Sequence, residues 1–106
     1  MIRHIVLIRF RPDVPEVTIA AIFADVAAIK AHLPGMLHFA GGRSESPEQI
    51  ERGYMHGFTI DFADWDALAA YAVHPDHQRA ATALIAAAQG GGDDVLVFDL
   101  PIRTDA

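Results

Sequence analysis

The residues best suited to chemistry lie in one short segment, residues 71–77 (YAVHPDH). Pro75 cannot continue a helix, because its ring removes a backbone donor and collides with the preceding turn. We therefore predict that one helix ends before Pro75 and a second begins with it, capped by His74, which puts His77 in the first turn. The helix dipole disfavours imidazolium there. A neutral imidazole can act as a general base, so His77 is the candidate catalytic base.

Tyr71 is the candidate partner of His77. It lies six residues upstream, across the break, and the break allows both side chains to converge on one cavity. A phenol there can donate a hydrogen bond to a substrate carbonyl and stabilise a developing enolate. A purely structural role is open for both residues: His77 would bond a backbone group near the break, and Tyr71 would be an amphipathic core residue.

Two further histidines, His4 and His56, each interrupt the apolar face of a predicted strand. A single histidine in such a place is more often a satisfied core residue than a ligand, but two on one face of one sheet favour a pocket. His4 and His56 are therefore candidates for the lining of a substrate pocket, together with Phe23 and Phe58, and the core role stays open for both histidines. The first and third strands are predicted neighbours, and their register decides whether the two histidines meet.

The sequence predicts no metal and no cofactor. His74 and His77 are three residues apart, but no carboxylate stands at a convincing ligand spacing, and the chain has no cysteine. It contains no P-loop and no dinucleotide-binding glycine pattern. The glycine run 90–92 precedes a predicted strand instead of a helix, so it is not a phosphate cradle.

Hydrophobic periodicity gives the elements that must position these residues. Alternation predicts strands over 2–10, 36–42, 55–62 and 95–100, and the helical period predicts helices over 16–32 and from 65 to about 88, broken at Pro75. We expect a bulge or bend at Gly41-Gly42 and a loop over 44–52 with one helical turn at 47–50. The order β-α-β-β-α-β is typical of the ferredoxin-like α+β fold, a four-stranded antiparallel sheet with helices on one face.

The other face of the sheet is predicted to carry Ile5, Leu7, Val95 and Val97. A contiguous apolar patch of this kind usually marks an interface. Two sheets stacked face to face in a symmetric homodimer would bury it.

The length and composition of the chain exclude several classes of function. The 106 residues predict a single domain, and the net charge of -6 argues against nucleic acid, which requires a basic surface. No apolar run approaches the roughly 20 residues of a membrane span. The first residues enter a predicted strand without a secretory signal pattern, which predicts a cytoplasmic location. Residues 101–106 are predicted to form a tail.

Four segments together resemble the stress-responsive α/β-barrel (Dabb) domain: residues 3–10 (RHIVLIRF), 53–56 (GYMH), 71–77 (YAVHPDH) and 95–99 (VLVFD). The resemblance covers nearly the whole chain and implies a dimeric α+β barrel of two ferredoxin-like subunits. Some members resemble plant polyketide cyclases, which close a poly-β-ketone by an aldol-type condensation. In those, the last histidine of His-Pro-x-His works with the upstream tyrosine, which implies these roles for His77 and Tyr71. It also implies that His4 and His56 line the same pocket.

Three functions follow as hypotheses. The first is a cofactor-free cyclase or lyase acting on a small apolar, ketone-bearing or polyketide-like molecule. The second is a small-molecule-binding, stress-associated protein without chemistry. The third is a cofactor-independent monooxygenase of the same barrel superfamily. Fold-level analogy does not choose among them.

Overall fold

The computed structural model describes residues 1–103. The strands are β1 (Ile2–Ile8), β2 (Met36–Arg43), β3 (His56–Phe62) and β4 (Val95–Pro101), and the helices are α1 (Glu16–Ala28), α2 (Trp65–Val73) and α3 (Pro75–Ala87). The four strands form one antiparallel sheet in the order β2-β3-β1-β4. The predicted ferredoxin-like α+β architecture is confirmed.

Several element ends differ from the prediction. The first helix closes with a 3₁₀ turn over Ile29–His32, and Pro15 is its N-cap. Residues 47 and 48 form a turn without helix. Phe10 lies beyond β1 and makes only an isolated bridge to Ala88. Within residues 1–103 no helix is long and apolar enough to cross a membrane.

The edges of the sheet also differ in detail. The irregularity in β2 lies between Met36 and His38, whereas the Gly41-Gly42 pair stays in register with β3. Strand β4 extends to Pro101, so the predicted tail begins later, and residues 104–106 lie outside the described residues. A glycine pair permits a bulge but does not require one, because backbone pairing decides where the extra residue lies.

The core lies between one face of the sheet and the helices α1 and α3. Strand parity was predicted correctly for β1 and β3, since the alternate residues from Ile2 and from His56 are buried on the helix side. The apolar stripe of α1 packs on them. Close packing of this kind fixes which strand residues are available to a pocket on the helix side. Six of the largest buried side chains are Phe62, Ile8, Ile29, Met36, Ile60 and Val26.

The prediction for the two faces of β4 was wrong. Val97 pairs with Val6 and Val95 with Ile8, which places both valines on the helix side. Leu96, Phe98 and Leu100 instead share the open face with Leu7 and Ile5. Both alternating sets of β4 are apolar, so parity alone could not assign them, and the register with β1 decides. The open face is apolar all the same, with Phe98 61% exposed.

Candidate functional site

The helix break at Pro75 positions the two candidate catalytic residues. Helix α2 ends at Val73, and α3 begins with Pro75. His74 is the N-cap of α3, and its Nδ1 accepts a hydrogen bond from the backbone N–H of Asp76 at 3.1 Å. His77 therefore lies in the first turn of α3, as the sequence predicted.

The break brings Tyr71 and His77 together. Their ring centroids lie 4.4 Å apart, with the planes tilted by 51°. Tyr71 is 2% exposed and His77 is half-buried. Both line one cavity of about 180 Å³ between the sheet and α3, called here the helix-side cavity. The rest of its lining is aliphatic or aromatic and includes Val6, Val26, Phe58, Leu84, Val95 and Val97.

The protonation of His77 follows from its contacts. Its Nδ1 lies 3.0 Å from the carbonyl oxygen of Ala72, and because a carbonyl only accepts, Nδ1 carries the proton. In the neutral ring the lone pair is then on Nε2. Burial lowers the pKa of His77, and the nearby His4 lowers it further, against the opposing effect of the Ala72 bond. The ring is neutral at neutral pH, and burial is the leading cause.

The pKa of Tyr71 is shifted in the opposite direction from that of His77. Burial raises the pKa of its hydroxyl above the ordinary value of 10.0. The phenol therefore keeps its proton at physiological pH and can donate but cannot act as a base. A neutral imidazole and a protonated phenol side by side form an acceptor and a donor at one end of an apolar cavity.

His4 lies behind Tyr71 and is bound to a residue that sequence reasoning missed. Nδ1 of His4 donates to Oδ1 of Asp99 at 2.6 Å, across the β1–β4 pair. The His4 ring meets Tyr71 edge-on at 5.8 Å. Asp99 was the one charged residue in the last predicted strand. With the correct parity of β4 it would have been placed on the same face as His4, and the register with β1 then places it directly opposite.

His56 lies in a different part of the subunit. It pairs with Ile8, whereas His4 pairs with Ile60, so four residues of register, or roughly 13 Å, separate the two histidines. Nε2 of His56 donates to both carboxylate oxygens of Glu16, at 3.0 and 2.9 Å. Two hollows of about 300 and 280 Å³ adjoin this pair. His56 thus does not line the helix-side cavity.

The two phenylalanines that were predicted to line the pocket lie at different cavities. Phe58 lines the helix-side cavity. Phe23 meets Phe58 edge-on at 5.3 Å but lines the 280 Å³ hollow beside His56. Phe23 supports the cavity from behind instead of forming its surface.

No three His, Cys, Asp or Glu side chains of residues 1–103 are placed to hold a metal ion. His74 stacks on His32, with centroids 6.1 Å apart, while its Nδ1 is occupied by the cap of α3.

Fold and cavity together define a ferredoxin-like α+β subunit with an acceptor and a donor in an apolar pocket. The family model of the stress responsive A/B barrel domain (Dabb) matches residues 2–102. The stress-response A/B barrel domain-containing protein HS1 of Arabidopsis thaliana is 31% identical over 98 residues, which cover 92% of this chain and 86% of HS1. The chain belongs to the Dabb family.

Solved structures agree with this assignment. A dimeric ferredoxin-like protein of unknown function from Jannaschia sp. CCS1 has a TM-score of 0.89 and 36% identity, over 95% of this chain and 98% of that chain. A hydroxynitrile lyase from Passiflora edulis has a TM-score of 0.82 and 21% identity, over 97% of this chain and 94% of that one. At that identity, the second likeness shows the fold alone.

Proposed function

We propose that this protein is a cofactor-free enzyme that removes a proton next to the carbonyl of a small ketone, with His77 as base and Tyr71 as hydrogen-bond donor. The observation that carries the proposal is the 4.4 Å separation of the two rings at one end of the helix-side cavity. Two rings packed this closely allow Nε2 of His77 and the hydroxyl of Tyr71 to address the α-carbon and the oxygen of one carbonyl compound.

The reaction follows from the two protonation states. Nε2 of His77 takes a proton from the α-carbon, and the electron pair of the broken C–H bond moves onto the carbonyl oxygen. Tyr71 donates a hydrogen bond to the enolate oxygen. The enolate carbon then attacks a second carbonyl of the same molecule, a C–C bond forms, and the new alkoxide takes the proton back from His77. Atoms and charge balance without a cofactor.

The apolar lining supports this chemistry. In a pocket with few polar groups, one donor directed at the developing oxyanion is stabilising because water does not compete with it. The hydroxynitrile lyase from Passiflora edulis shares the fold at 21% identity, so a lyase is compatible with this scaffold.

We also propose a homodimer formed through the open sheet face. Leu7, Leu96, Phe98 and Leu100 are 39%, 48%, 61% and 41% exposed on that face. The Jannaschia relative is described as dimeric. A hollow of about 800 Å³ between this face and the loop 44–55 offers the concave surface that a second copy would cover.

A binding protein without chemistry is the second candidate. It is favoured by the bond from His77 to the Ala72 carbonyl, since a histidine held in this way also has a structural role near the helix break. In that case the cavity would bind a small apolar molecule and release it unchanged.

The test is turnover of a short linear diketone, followed by NMR, with purified wild type and four variants. We expect His77→Ala and Tyr71→Phe to reduce kcat/KM by about a hundred-fold or more. The matched controls His38→Ala and Tyr54→Phe, on β2 and beside Arg9, should keep wild-type rates. Binding with equal, slow turnover in all five proteins would refute the enzyme and leave the binding protein.

A further inference from the structure

The residues of α3 that follow His77 shape the helix-side cavity. Ala80, Ala81 and Leu84 come three, four and seven residues after His77, so all four side chains share one face of the helix. All four line the cavity. The histidine lies at one end, the two alanines leave the middle hollow, and the leucine lies about 10 Å further along the axis.

The inner walls of this hollow are fixed. Leu84, Phe58 and Val26 are 5%, 5% and 2% exposed and belong to the close-packed core. Core side chains at native density have no room to move aside for a larger ligand without strain. The most exposed residues of the lining are Val97 and Ile85, at 57% and 44%, so the cavity opens toward solvent on their side.

The volume of the helix-side cavity limits the size of the ligand that it can enclose. An apolar cavity of about 150 Å³ holds one benzene molecule, whereas pockets for drug-sized ligands measure about 300–1,000 Å³. The helix-side cavity, at about 180 Å³, therefore encloses a group only slightly larger than benzene, and any longer part of a ligand would extend past Val97 and Ile85 into solvent. A long linear poly-β-ketone exceeds it.

We infer that the ligand is a small, largely apolar carbonyl compound of one ring or a short alkyl chain, and that Leu84 sets its maximum length. The inference rests on the proposed function for the position of the carbonyl beside Tyr71 and His77. It narrows the substrate class from ketones and polyketide-like molecules to short carbonyl compounds alone.

The test measures binding of methyl ketones from acetone to methyl heptyl ketone by NMR titration of the methyl signals. In the wild type we expect affinity to rise about four-fold with each added methylene and then to stop rising or fall at a defined chain length. Leu84→Ala should increase this limiting chain length by roughly two carbons, because it removes most of the side chain that closes the far end of the cavity. Ala81→Leu should abolish binding of every member, because it fills the middle.

Two further measurements make the result decisive. Thermal unfolding checks that each variant is folded; Leu84→Val, which removes less volume, replaces Leu84→Ala if the latter unfolds. His77→Gln should keep the wild-type chain length at which affinity stops rising, but it should lose turnover of the diketone. The size limit and the proposed reaction can therefore fail separately. An affinity that keeps rising through the whole series, an unchanged stop in the Leu84 variant, or full binding by folded Ala81→Leu would overturn the inference.

Discussion

Nδ1 of His4 donates a 2.6 Å hydrogen bond to Oδ1 of Asp99 on the neighbouring strand, directly behind Tyr71. The two residues are 95 positions apart in the chain and are opposite each other only in the β1–β4 register. Through the edge-on contact between His4 and Tyr71, this pair packs against the hydrogen-bond donor of the helix-side cavity.

Asp99→Ala should lower the free energy of unfolding by about 1–3 kcal/mol, because the buried Nδ1 of His4 loses its acceptor. Urea denaturation measures the change. In a His4→Phe background the same substitution should cost much less, since the pair is already absent. Equal losses in both backgrounds would show that Asp99 contributes to stability independently of His4.

The pKa of His77 should lie below the ordinary value of 6.5, because burial disfavours the charged ring. NMR titration of the imidazole protons measures it. A base works only in its neutral form, so kcat/KM should be level at neutral pH and fall as the pH drops through this lowered pKa. An acid limb at or above 6.5 would contradict the assignment of His77 as the buried base.

Glu16 should contribute to the loss of stability in acid. The hydrogen bond from His56 holds the pKa of its carboxyl below the ordinary value of 4.5. A depressed folded-state pKa gives stability that is present above the unfolded pKa and is lost as the pH falls through the folded one. Glu16→Gln should therefore flatten the fall in urea midpoint between about pH 6 and pH 3. Glu48→Gln, in the loop after β2, is the control that should leave the curve unchanged.

The two helix caps offer a matched pair of substitutions. Asp64 caps α2 through the Ala67 N–H at 2.8 Å, and His74 caps α3 through the Asp76 N–H. Asp64→Ala and His74→Ala should each cost about 1 kcal/mol of stability. Only the His74 variant should also displace His77, which NMR contacts between the Tyr71 and His77 rings would report. Loss of those contacts in the Asp64 variant as well would mean that the helix break does not depend on its local cap.

The open sheet face should control assembly. Sedimentation at micromolar concentration should give a species of about twice the 11.5 kDa of one chain. Phe98→Asp should give single chains, because a charge at the centre of an apolar interface is left unpaired. Val73→Asp, an equally drastic change at a 72% exposed site at the end of α2, should remain a dimer. A wild type that sediments as one chain would refute the proposed assembly.

The sequence by itself determined the order of the elements, the helix-facing sets of β1 and β3, and the break that sets Tyr71 and His77 on either side of Pro75. These features depend on covalent constraints and on periodicity within one segment, so they are readable without knowing what packs against it. The first-turn position of His77 belongs to the same class.

Only the tertiary structure decided where the remaining site residues lie. Whether His4 meets His56 or Asp99, and which face carries Val95 and Val97, depends on the register between strands that are distant in sequence. A shift of one residue moves a whole strand to the other face, and where both alternating sets are apolar, local patterning carries no information about it. Burial of His77, the leading cause of its lowered pKa, likewise exists only once the helices pack on the sheet.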